Sequence, residues 1–300
     1  LKAEIARLEA AAASEPAIAP ELEPKLAEAR GSLGTVQSAV PELPIMRELA
    51  GDQRRVTRVF TGGSYLNPAD EVSPGVPDRF ARVSESHPAN RAELAAWLFD
   101  PDNPLTGRTL ANRVWEQVWG IGIVETVEDL GTQGAWPSNQ PLVDHLAIRF
   151  MEGNWSLKRL LREIVTSSTY MQSSDVSPQL LERDPANRLL ARGPRTRLDA
   201  ETIRDQALAA SGLLSRRMYG PSVFPYQPPG LWIMIYSGDQ WATSPGEDKH
   251  RRSLYTFIRR TVPHPAMTTF DAPSREVCVS RRLRTNTPLQ AMVTLNDPQF

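Results

Sequence analysis

Residues 138–165 read SNQPLVDHLAIRFMEGNWSLKRLLREIV, and the spacing of their apolar side chains decides the fold. Leu142, Leu146 and Phe150 recur every fourth residue, which puts them on one face of an α-helix starting near Ser138. Gly153 ends that helix, because glycine reaches helix-stopping backbone conformations without a steric penalty. Ser156 opens another, since a serine oxygen can accept from the free N–H groups of a first turn. Leu157, Leu161, Ile164 and Val165 form the apolar stripe that follows.

The same pattern extends toward the N-terminus. Leu110, Val114 and Val118 predict a helix with Trp115 and Trp119 on its flank and Gly120 as its stop. Asn90, with Glu93 three residues on, predicts a capping box ahead of Leu94, Trp97 and Leu98, and Pro101 ends that helix. Four short helices with brief links predict one packed helical unit over residues 88–176.

Outside that unit the signals change. Leu1, Ile5, Leu8 and Ala12 have helical spacing, and Leu22, Leu26, Ala29, Leu33, Val36 and Val40 repeat as a coiled-coil seam. Pro16 and Pro20 interrupt the two runs, which predicts an antiparallel helical hairpin over residues 1–43. Residues 44–87 read as a small β unit, with a strand at Arg55–Thr61 and then turns at Gly62-Gly63, Asn67-Pro68 and Ser73-Pro74-Gly75. A linker near Ser173–Pro185 leads into a last region, residues 184–300. There Asp199 caps a helix, Tyr219–Gly246 reads as a long ordered loop, Leu254–Ile258 as a short strand, and Thr287-Pro288 as the start of a final helix. The expected class is mainly α with small β elements, an α+β chain with long Pro- and Gly-rich loops.

Composition narrows function by exclusion. The net charge is −1 over 300 residues, so no global field draws in nucleic acid, and nucleic-acid binding is not expected. No stretch approaches the ~20 apolar residues of a membrane helix. The single cysteine, Cys278, rules out an internal disulfide and a C-x-x-C-H haem site; flanked by Val277 and Val279, it is expected to be a buried small hydrophobe. Both ends look cut, because the chain opens without Met inside a helical pattern and stops just after a helix. Phosphate-binding glycine loops, H-E-x-x-H and G-x-S-x-G are all absent.

The charge is unevenly spread. From Leu181 to Phe300 there are 17 Lys and Arg against 11 Asp and Glu, and nearly all the cations are arginine. Arginine makes bidentate contacts to carboxylate, sulfate and phosphate. Arg251, Arg252, Arg259, Arg260, Arg275, Arg281, Arg282 and Arg284, with Asn286, are therefore the candidate anion-binding residues, and Asp271, Glu276 and His250 their candidate polar partners. The opposing reading is a set of internal Arg–carboxylate pairs tying loops to the helical core. Tyr226, Trp232, Tyr236 and Trp241 could form a platform for sugar rings, although aromatics in Pro-rich loops more often pack the loop down. The remaining histidines, His87, His145 and His264, have no metal-ligand spacing, and no metal site is expected.

Several long stretches resemble the planctomycete domain of unknown function 1553. They include GSYLNPADEVSPGVP (63–77), NPLTGRTLANRVWEQVWGIGIVETVEDLGTQG (103–134), NWSLKRLLREIVTSSTYMQS (154–173) and DPANRLLARGPRTRLDAETIRD (184–205), followed by GPSVFPYQPPGLW (220–232), TFDAPSREVC (269–278) and RTNTPLQAMVTLNDP (284–298). The resemblance runs from about Pro44 to the C-terminus. Asp129-Leu130-Gly131 stands where the pattern usually has Asp-Phe-Gly, a mild departure. The resemblance implies an exported, multi-domain bacterial protein, periplasmic or extracellular, whose relatives commonly carry a cytochrome c-like module upstream. No cofactor is expected in this chain; a c-type haem would belong to such a module. The resemblance transfers no catalytic residue. It leaves two readings: a non-catalytic interaction or scaffold module whose partners are other modules of the same polypeptide, and an enzyme or binding domain for an anionic glycan using the Arg-rich and aromatic loops.

Overall fold

The computed structural model describes residues 1–14, 18–40, 43–77, 80, 90–232 and 238–300. The chain is mainly α with small β elements, as its periodicity predicts. It divides into two compact units: one spans Leu1–Val76 and takes in the first half of the third helix to Leu94, and the other holds the chain from Ala95 to Phe300. Among the described residues no helix is long and apolar enough to cross a membrane.

In the first unit α1 (Lys2–Ser14) and α2 (Ala19–Ala39) pack on each other, burying Ile5 and Leu26, with Arg30 2.6 Å from Glu9. Pro20 does not interrupt α2 but lies in its first turn, where the missing N–H costs no hydrogen bond. The seam is covered only as far as Leu33; Val36 and Val40 are exposed. The β unit is a two-stranded antiparallel ribbon, β1 (Thr57–Phe60) and β2 (Pro68–Val72), in register Thr57 with Val72 and Arg58 with Glu71. Pro68, expected in a turn, begins β2. The third helix, α3 (Arg91–Leu98), shows the first half of the expected box, with Asn90 Oδ1 accepting from the Glu93 N–H, while a side-chain donor, Asn90 Nδ2, reaches Glu93 Oε1 at 2.7 Å.

The second unit is built on α4 (Thr106–Trp119), α5 (Gln140–Glu152) and α6 (Leu157–Val165). Its core holds Ala111, Trp115, Trp119, Ile123, Val143, Leu146, Phe150, Leu160 and Ile164. The tryptophans thus belong to the buried face of α4, stacked with centroids 5.0 Å apart, and Leu110, Val114 and Val118 pack at its margin. The rotation follows from size, since an indole removes more apolar area from water than a valine. Two polar residues, Asn112 and Glu116, share that buried face one turn apart. Asn139 caps α5, which starts near Ser138 as expected, and Ser156 caps α6.

The expected linker at 173–185 contains a further short helix, α7 (Pro178–Arg183), capped by Ser177 with Pro178 in its first turn. Beyond it, α8 (Ala200–Ala210), α9 (Pro265–Thr269) and α10 (Pro288–Asn296) surround a second core of Ala200, Met267 and Phe270. Leu254–Ile258 is not a strand. Ser253–Tyr255 is a single 3₁₀ turn, and Val223 and Thr256 form only an isolated bridge. The Tyr255 and Thr256 N–H groups are satisfied locally by the carbonyls of Arg252 and Ser253, which leaves no ladder to extend.

Candidate functional site

The arginines of the C-terminal region converge on the start of α8. Asp199 is the N-cap residue of that helix, yet its carboxylate makes no cap hydrogen bond. It lies 3.7 Å from both Arg282 and Arg284. Arg282 also takes Glu201 in a two-pronged contact at 2.5 and 3.2 Å, the planar fork that suits a carboxylate. Arg275 approaches the same Glu201 at 3.8 Å. At the other end Arg284 is 3.6 Å from Glu116 on α4 and donates to the Gly120 carbonyl at 3.4 Å. Read in order, Glu116, Arg284, Asp199, Arg282, Glu201 and Arg275 alternate in sign, three acids with three arginines. This ladder joins α4, α8 and the segment 275–284.

Its electrostatics differ from end to end. Burial acts to raise the Glu201 carboxyl, but the hydrogen bonds from Arg282 and the backbone outweigh it, and the group sits below its ordinary value. The same contact, led by the hydrogen bond to Glu201, raises Arg282. Glu116 goes the opposite way: burial in α4 raises it, and the charge of Arg284 only partly offsets that.

Beside the ladder lies a cavity of about 310 Å³, whose polar lining includes Glu201, Asp205, Arg252, Arg275, Arg282 and His264. Arg252 is 3.5 Å from Asp205, so among the described residues each arginine lining this cavity has a carboxylate neighbour. Burial lowers His264, whose Nε2 is 2.9 Å from the Tyr226 carbonyl oxygen. Among the described residues no group of three or more His, Cys, Asp or Glu is placed to hold a metal.

The other expected site residues lie elsewhere. Arg251 is 1% exposed; it donates to the carbonyls of Pro221, Arg217 and Tyr219 and lies 3.9 Å over the Tyr255 ring. Arg259 pairs with Asp239 at 2.7 Å, and Arg281 with Glu128 at 4.0 Å. Arg260, Glu276 and Asn286 are exposed. Asp271 does not line the cavity; it accepts from Arg197 and from the Thr285 N–H and hydroxyl, fastening that strand of chain. His250 is also outside the cavity, lowered by burial with Lys249 and Arg204 nearby. Of the aromatic residues, Trp232 is 4% exposed and packs edge-on to Trp241, whose indole N–H donates to the Pro225 carbonyl at 2.8 Å. Tyr226 is half-buried, and Tyr236 and His87 lie outside the described residues. Cys278 is exposed, contrary to its apolar neighbours' implication, because Val277 and Val279 are themselves exposed.

Sequence reasoning missed the acids of the ladder, Glu116 and Glu201, and assigned Asp199 only a capping role. It also missed Arg204, a buried side chain that donates to the carbonyls of Lys249 and Arg251, to Ser253 Oγ and to Gln299. Compared with known proteins, residues 90–300 match the family described as PSD1, protein of unknown function (DUF1553). No curated protein and no solved structure matches the chain.

Proposed function

The chain belongs to the DUF1553 family, and from that premise we propose that its C-terminal region is a non-catalytic interaction module of a larger exported protein. One observation carries the reading: the arginines nearest the cavity are matched by carboxylates on α4 and α8 rather than turned free toward an anion. An arginine already held in a two-pronged ion pair has its charge compensated, so an incoming sulfate or uronate gains little from it and is repelled by the carboxylate beside it. A ladder linking three segments is instead suited to holding a surface in one shape for a partner. The partners on this reading are other modules of the same polypeptide, in the periplasm or outside the cell. The family resemblance supports that location, and any haem would sit on such a module.

Calorimetric titration of the chain at low salt with a sulfated hexasaccharide and with trigalacturonate tests the proposal. The expected result is no saturable heat. Saturable binding to either, lost in Arg282→Ala, would replace this reading with that of an anionic-glycan receptor.

A further inference from the structure

A second cavity, of about 390 Å³, lies between α4 and the loop that leads into α5. Trp136 lines it and is 91% exposed. An indole left in water at the edge of a cavity offers an aromatic surface of the kind that stacks on a ligand. The loop that carries it is held in place. Asn112, wholly buried in α4, holds Val124 by both edges, Nδ2 to the carbonyl and Oδ1 from the N–H, each at 2.9 Å. Thr126 Oγ1 donates to the Asp129 carbonyl at 2.6 Å and accepts from the Ala135 N–H at 2.9 Å. The Ser138 N–H donates to the Ile123 carbonyl at 2.8 Å, closing the loop on itself. The ring is thus presented by a braced scaffold, which lowers the ordering cost of stacking something on it.

The polar part of the lining carries no free charge. Arg108 Nε donates to Asp144 at 2.6 Å and its Nη1 to the Pro104 carbonyl at 2.6 Å, while Gln140 Nε2 donates to the same Asp144 oxygen at 2.9 Å. Arg108, Gln140 and Thr132 are the lining side chains that keep hydrogen-bonding groups outside these contacts. We propose that this cavity binds a neutral sugar ring of a glycan, with one C–H face on the Trp136 indole and hydroxyls on Arg108, Gln140 and Thr132. A charged sugar would find no uncompensated counter-charge. A proline-rich peptide would need a groove lined by several aromatic rings, and among the described residues Trp136 is the one aromatic that lines this cavity. The volume is within the ordinary range for small-ligand sites, ~300–1,000 Å³.

The test is a titration followed by tryptophan emission and calorimetry, using neutral hexasaccharides of glucose, mannose, xylose and N-acetylglucosamine. At least one should bind the wild type saturably, and Trp136→Ala should weaken it at least about tenfold with the melting temperature unchanged, since an exposed ring contributes little to folding. Gln140→Ala should weaken the same sugar by a smaller factor. Failure of all four sugars to bind, or equal binding by Trp136→Ala, overturns the proposal. Binding of a decaproline peptide through Trp136 in place of any sugar overturns it in favour of a peptide site. None of these substitutions touches the arginine ladder, so the two proposals stand or fall separately.

Discussion

Replacing Arg282 with alanine removes the centre of the ladder. The Arg282 and Glu201 side chains are 26% and 24% exposed, so the pair lies between two regimes. Exposed ion pairs contribute about 0–1 kcal/mol, whereas removing one partner of a buried pair costs about 3–5 kcal/mol because the other charge is stranded. Glu201 would keep only Arg275 at 3.8 Å, and Asp199 only Arg284 at 3.7 Å. The expected loss is therefore about 2–3 kcal/mol at neutral pH, or a fall in melting temperature of about 5–10 °C for a unit of this size. Urea denaturation with matched thermal melts measures it. The pH dependence adds a sign. Glu201 sits below its ordinary value in the folded protein, so its stabilisation is complete above the unfolded value and is lost as pH falls through the folded one. Without Arg282 burial meets less opposition, so the group takes its proton at a higher pH than in the wild type and, once protonated, no longer carries a stranded charge. The gap between wild type and variant should thus narrow as the pH is taken below about 4. A gap under about 0.5 kcal/mol at neutral pH, or one that does not change with acid, would refute the reasoning.

Other outcomes follow from the same packing. Glu116 is raised by burial, so it binds its proton more tightly folded than unfolded and the wild type gains stability as pH falls through the folded value; Glu116→Gln should lack that gain, as parallel pH-stability curves would show. Gly120 has φ 83° at the end of α4, and an added Cβ would meet Thr196 Cγ2 at 2.1 Å. Gly120→Ala should therefore cost about 2–4 kcal/mol, read by chemical denaturation. Asn112→Ala removes both bonds to Val124 and should cost about 3 kcal/mol while loosening the Trp136 loop, visible as faster amide exchange at residues 124–138. Cys278, being exposed, should label with a thiol reagent in the native state.

The helices were legible because periodicity and caps are local. Gly120, Ser156, Asn90 and Thr287 mark their boundaries within a residue or so. What could not be read from the sequence was which of two adjacent faces turns inward. On α4 the choice between Leu110–Val114–Val118 and Ala111–Trp115–Trp119 depends on volumes supplied by α5 and α6. The i, i+4 pair Asn112 and Glu116 was the available clue: two polar residues beside the tryptophans, each with a distant partner. The arginine cluster is visible as composition, but Asp271 and Glu276, the acids beside it in the sequence, are not the carboxylates of the ladder. The ladder acids come instead from α4 and the start of α8, far earlier in the chain and beyond the reach of local pattern. Trp136 had no local signal, because exposure is a property of the finished surface.

On the proposed reading the arginines, bound to internal carboxylates, hold the module together. A double-mutant cycle on Arg282 and Glu201, measured by urea denaturation, tests it most directly. The expected coupling energy is about 1–2 kcal/mol, with the double variant less destabilised than the sum of Arg282→Ala and Glu201→Ala. Additive effects, with Arg282→Ala as stable as the wild type, would contradict it.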